Sequence, residues 1–137
     1  MTGCFRMTNP RTKGAGGERE AAILIARYMG IDRERVTRNW QMQAAVGGSD
    51  LVIDGLDTWA IEIKRARVAR IKEWWKQAKQ QGAKSNRKPV LLYRLDRQDW
   101  NAMISLFDLR SDLNDRSPIT MSLESWCALA GRDGLES

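Results

Sequence analysis

The chain has 137 residues, 42% hydrophobic and 29% charged, which fits one globular domain with its own core and argues against wholesale disorder. It has no histidine and only two cysteines, Cys4 and Cys127, far apart. That rules out Ser-His-Asp and Cys-His catalysis and histidine-ligated metals, and it argues against a disulfide framework or zinc site; hydrolysis would have to run on carboxylates, lysine and a hard cation bound by oxygen.

No apolar run is long enough to span a membrane and no signal-peptide core opens the chain, so the expectation is a cytoplasmic protein. The net charge of +6 is uneven. Residues 64–88 carry ten Lys/Arg against Glu73, a local +9, whereas 108–137 carry three Arg against six Asp/Glu, a local −3. Such a basic stripe suits a polyanion, although a solvated helix face has the same composition.

In chain order, residues 8–17 read as a flexible basic arm, which sets residues 1–16 apart from the body of a single domain spanning 1–137. Glu18 to Met29 is helical: Ala22, Ile25 and Met29 share one stripe and Gly30 supplies the stop. Glu18 extends that stripe, putting a carboxylate on the core-facing side. Residues 35–40 read as a strand, and Gly47-Gly48-Ser49 breaks the chain. Leu51 to Asp54 and Thr58 to Lys64 alternate about an Asp54-Gly55 turn signal, a β-hairpin pattern. Residues 68–81 are helical, with Val68, Ile71, Trp74, Trp75 and Ala78 apolar; Gly82 to Lys88 reads as a polar loop. Pro89 to Arg94 suits a buried strand. Residues 100–107 read as a further strand, Ile119 to Met121 as extended, and Leu123 to Ala130 as a helix with Ser122 at its N-cap. The order predicts an α/β fold in which helices flank a mixed central sheet.

The hairpin carries the chemistry. With residues 55–57 as a three-residue loop, position 52 faces 60 and Asp50 faces Glu62. Directly opposed residues have Cβ atoms roughly 4.5–5.5 Å apart, close enough for two carboxylates to share one cation. Lys64 lies two residues beyond Glu62 and so points to the same face. The other face carries Leu51, Ile53, Trp59, Ile61 and Ile63, a core face. Two ionised acids at that separation repel, and a divalent cation relieves the repulsion. Mg²⁺ takes oxygen ligands from one or two carboxylates, waters and phosphate, and an ammonium beside it can orient an attacking water. Glu-x-Lys alone is nearly worthless as a signal. Asp50, Glu18 and the basic stripe make a four-part agreement. The bland alternative is a solvated hairpin face with a Glu62–Lys64 salt bridge.

Three segments, Lys13-Gly14-Ala15-Gly16-Gly17-Glu18-Arg19-Glu20, Gly48-Ser49-Asp50-Leu51-Val52 and Ile61-Glu62-Ile63-Lys64, together resemble the PD-(D/E)XK nuclease superfamily and, within it, the archaeal-type Holliday junction resolvases. They occur in that family's order across the first half of the chain. The second half, with Trp74-Trp75-Lys76-Gln77, looks like small phage-encoded relatives. Ser49 stands where the family usually has proline.

The resemblance implies a restriction-endonuclease-like α-β-β-β-α-β core. It implies catalysis by Glu18, Asp50, Glu62 and Lys64, and a metal (Mg²⁺, with Mn²⁺ able to substitute) held by Asp50, Glu62, the Ile63 main-chain carbonyl and Glu18. It further implies a homodimer that nicks four-way DNA junctions in recombination, in a prokaryotic or phage-infected cell.

Candidate DNA contacts are Lys13, Arg19, Arg38, Arg65, Arg67, Arg70, Lys72, Gln77 and Lys79. For Gln77 a plain surface role is as simple, and Lys84, Arg87 and Lys88 either grip phosphates or are solvated. Trp74 and Trp75 suit a core, with one of the pair able to reach a dimer or DNA surface; Trp40, Trp59, Trp100 and Trp126 suit the core. Two other functions stay open: a nuclease of this fold with a restriction-like or repair target, and a non-catalytic DNA binder. The apparent lack of a recognition domain favours reading DNA by shape. The intact acid–lysine set disfavours a pure binder.

Overall fold

The computed structural model describes residues 10–38 and 50–134, with side chains from 16 to 38 and from 50 to 131. The elements are α1 (Pro10–Met29), β1 (Val36–Arg38), β2 (Leu51–Ile53), β3 (Leu56–Ala66), α2 (Ile71–Ser85), β4 (Lys88–Leu95), β5 (Asn101–Ser105), α3 (Leu106–Leu109), β6 (Pro118–Ser122) and α4 (Leu123–Gly134). Among the described residues six strands form one sheet in the order β1-β2-β3-β4-β5-β6. Only β3 and β4 run parallel, joined by the α2 crossover; the other neighbours are antiparallel. The chain thus has an α-β-β-β-α-β core extended by β5, α3, β6 and α4, a mixed sheet flanked by helices.

Strand alternation decides which helix covers which face. Leu51, Ile53, Trp59, Ile61 and Ile63 join Ala22 and Ile25 of α1 and Trp126 of α4 in the larger core. Trp74, Trp75 and Ala78 of α2 pack with Leu91 on the opposite face. Because both faces are covered, Val90, Leu91 and Leu92 are all fully buried, and this is the reason β4 reads as a continuous apolar run. Ser122 caps α4 as expected: its hydroxyl accepts the Ser125 N–H at 3.1 Å. Trp59, Trp100 and Trp126 are core residues as expected, and so are both Trp74 and Trp75, each 7% exposed or less. Neither of that adjacent pair offers a ring to a base or a second subunit. Cys4 and Trp40 lie outside the described residues.

The boundaries that differ from expectation include three helix ends, two of them through a glycine, and the strand read over 100–107, which stops at Ser105 where α3 begins. Helix α1 begins at Pro10, so residues 10–16 are helical rather than an arm. Proline suits a first turn, and Gly17, read from sequence as flexible, is buried where α1 crosses β3. A Cβ there would come within 3.1 Å of the Arg65 Cβ. Likewise α2 starts at Ile71, leaving Val68 outside and exposed, and runs through Gly82 to Ser85. A Cβ at Gly82 would meet the Arg87 carbonyl at 2.8 Å, so this glycine marks close packing, and the helix instead ends at Asn86 in the left-handed conformation. At the hairpin tip Ile53 pairs with Leu56 around Asp54-Gly55, a two-residue turn with Gly55 at φ 89°. A register shift follows, and Leu51 pairs with Ile61, which restores the alignment predicted for Asp50 and Glu62.

Candidate active site

Asp50 sits at the entry to β2 and is tied to β3 at two points. Its N–H donates to the Ile61 carbonyl at 2.7 Å, and its Oδ2 accepts the Ile63 N–H at 2.7 Å. The carboxylate is therefore fixed beside the main chain of the Glu62 strand. Glu62 is 4% exposed beneath α2. Its Oε2 lies 3.2 Å from the Lys64 Nζ, while its Oε1 is buried with no hydrogen-bond partner. A solvated hairpin face is thus not what the strands present: the acids lie in a covered recess, and Lys64 stands partly open at its edge.

The electrostatics follow from this burial. Desolvation pushes the Asp50 carboxyl up to about 7, and the charges of Glu62 and Glu18 push the same way. The Ile63 N–H and Lys64 offset part of that rise. Glu62 is raised by burial first, against the pull of Lys64. Glu18, on α1, is buried and paired with Arg38 of β1, and its negative charge reaches both other acids. The structure therefore brings together Glu18, Asp50, Glu62 and Lys64 from α1, β2 and β3.

The chain's own residues fit a divalent cation. Burial raises both carboxyls, the charge of Glu62 raises Asp50 further, and one buried Glu62 oxygen lacks a partner; a positive ion relieves all three conditions. Among the described residues no three acidic or sulfur ligands surround a single point. What is offered is a two-carboxylate edge, with the remaining positions left to main-chain, water and phosphate oxygens. The N–H and C=O of one strand residue project to the same side, so the Ile63 carbonyl faces the Asp50 edge as its amide does.

The remaining sequence candidates scatter. Arg19, Arg67, Lys72 and Lys79 are exposed, and Arg70 is exposed 3.9 Å from Glu73. Arg38 is engaged with Glu18 and so helps hold that acid. Arg65 lies on the α1 face against Gly17 with a buried, unpartnered Nε. Lys13 has its side chain outside the described residues. Gln77 is exposed on α2; the residue that reaches Glu62 is Gln81, one turn later. The Gln81 amide favours the charged form of Glu62, although neither Glu62 Oε1 nor Gln81 Oε1 completes a hydrogen bond. Helical spacing carried the signal, since Gln81 is three residues beyond the buried Ala78.

A family model described as "Phage putative PDDEXK endonuclease" matches residues 9–127. No curated protein matches the chain. Among the described residues no helix is long and apolar enough to cross a membrane.

Proposed function

We infer the function from membership: this chain belongs to the family described as "Phage putative PDDEXK endonuclease", and we propose that it is a divalent-metal-dependent DNA endonuclease selective for branched DNA, a four-way-junction resolvase acting as a homodimer. The observation that carries the metal-dependent reading is the pairing of half-buried Asp50 with buried Glu62, and Lys64 3.2 Å from a Glu62 oxygen. In this proposal Asp50, Glu62 and the Ile63 carbonyl hold the cation, Mg²⁺ or Mn²⁺, and Glu18 completes the acidic site directly or through water. A cation held there would supply a lowered pKa for a coordinated water and screening of the phosphate charge. Lys64 orients the attacking water from the open edge of the recess. Ile63 fixes the Asp50 carboxylate through its amide, and Arg38 restrains Glu18. Exposed cations at Arg19, Arg67, Arg70, Lys72 and Lys79 attract the duplex.

Branch selectivity rests on the resemblance of residues 13–20, 48–52 and 61–64 to the resolvases. A panel of four-way junction, flap, single-stranded and linear duplex substrates with Mg²⁺ or Mn²⁺ tests it. Faster cutting of the junction is expected. Equal rates on linear duplex would remove the resolvase reading and leave the nuclease.

Gln81→Ala should weaken Mg²⁺ binding about three- to tenfold in calorimetric titration, since it removes a dipole that favours charged Glu62, worth on the order of 1 kcal/mol. Gln77→Ala should leave the titration unchanged. Equal effects of the two substitutions would detach Gln81 from the site.

A further inference from the structure

Beyond the acid recess, on the sheet face covered by α2, lies an open groove of about 620 Å³. Lys79, Arg87, Lys88 and Arg116 line it against Asp57 and Asp108, a balance of +2 from four cations and two anions. None of these four cations is in an ion pair among the described residues, whereas Arg38, Lys64, Arg70, Arg94 and Arg110 all are. The Arg116 guanidinium is stacked 3.9 Å over Phe107, which restrains the plane and leaves its edge donors available. At the groove wall Ser105, 8% exposed, has a buried hydroxyl with no hydrogen-bond partner. Positive charge, a restrained arginine and an orphaned hydroxyl together form a site for an anion with several oxygens. Among the described residues no aromatic ring lines the groove, so these offer nothing for a base to stack on.

Its position selects the anion. Pro89 and Lys88, which line the groove, pair with Ala60 and Trp59, two and three residues along β3 from Glu62. At about 3.3 Å per residue this is about 7–10 Å, within about one to two nucleotides along a DNA strand, whose neighbouring phosphates lie farther apart than the roughly 3.4 Å axial rise. We propose that the groove binds the sugar–phosphate backbone of the substrate DNA about one to two nucleotides from the scissile phosphate, through Arg87, Arg116 and the Ser105 hydroxyl. The proposal rests on the nuclease reading above.

The test measures duplex and junction affinity of the full chain against NaCl concentration in EDTA, for wild type, Arg87→Ala, Arg116→Ala and the double variant. Each phosphate contact contributes about 0.9 to the slope of log K against log salt, so the double variant should be shallower by about 1.8 and each single variant by about 0.9. Arg87→Lys with Arg116→Lys should restore most of the slope. Cleavage by wild type with unchanged slopes in the variants overturns the groove proposal and spares the nuclease. Wild type that binds no DNA even at low salt overturns both. Variants that lose binding of inorganic phosphate or a mononucleotide but keep the DNA slope also overturn it, by assigning the groove to a small anion.

Discussion

Glu62→Gln should reduce metal-dependent cleavage by about 10³-fold or more, the scale on which deleting one electrostatic element of an active site costs turnover. The substitution is nearly isosteric, so the packing under α2 survives and the loss is chemical. Glu62 has one oxygen engaged by Lys64 and one buried without a partner. An amide there can neither neutralise Lys64 nor donate a full charge to a cation. Asp50→Asn should act with similar severity, because the amide can still accept the Ile63 N–H but carries no charge. DNA binding should be retained or strengthened in both, since each removes a negative charge facing phosphate. The checks are a single-turnover cleavage assay and a binding titration in EDTA on the same preparations. Cleavage within a few-fold of wild type by either variant would end the assignment of these acids.

The site was legible because a β-hairpin converts sequence spacing into geometry with little freedom. Alternation fixed the core face from Leu51, Ile53, Trp59, Ile61 and Ile63, and it left Asp50, Glu62 and Lys64 together on the other. The two-residue tip and the register shift cancelled, so the alignment held even though the assumed three-residue loop was not formed. Glycine was misread for a physical reason. Gly17 and Gly82 look like chain breakers in one dimension, but each makes room for a neighbour from a distant segment, β3 or the Arg87 carbonyl. The cover over Glu62 was invisible for the same kind of reason: the phase of α2 shows which residues are apolar, not which sheet face they meet. Gln77 shares helical spacing with Trp74, but its side chain is exposed, and the residue that reaches Glu62 is Gln81, one turn on.

Asp50→Asn should also raise the metal-free stability of the fold at pH 8, by several degrees in Tm. The Asp50 carboxyl moves from its ordinary 3.8 to about 7 on folding, chiefly through burial. Below about pH 4 both the folded and unfolded states hold the proton and no penalty arises. Between about 4 and 7 the folded state keeps a proton that the unfolded state has released, so stability falls as pH rises. Above about 7 the whole cost is present, on the order of a few kcal/mol at about 1.4 kcal/mol per unit. An amide avoids it and keeps the Ile63 hydrogen bond, so the gap in Tm should open between about pH 4 and 7, be wider at pH 8 than at pH 5, and reach roughly 5–10 °C. Magnesium should then narrow the gap from the wild-type side only, because an ion that binds the folded acid pair adds about 2.7 kcal/mol at one hundred times its Kd. Thermal melts of both proteins at pH 5 and pH 8, with EDTA or Mg²⁺, separate these effects. A gap that does not change with pH would mean that Asp50 is not held in a desolvated site. A pH-dependent gap that Mg²⁺ leaves untouched would mean that the strained pair stores its repulsion for something other than a cation.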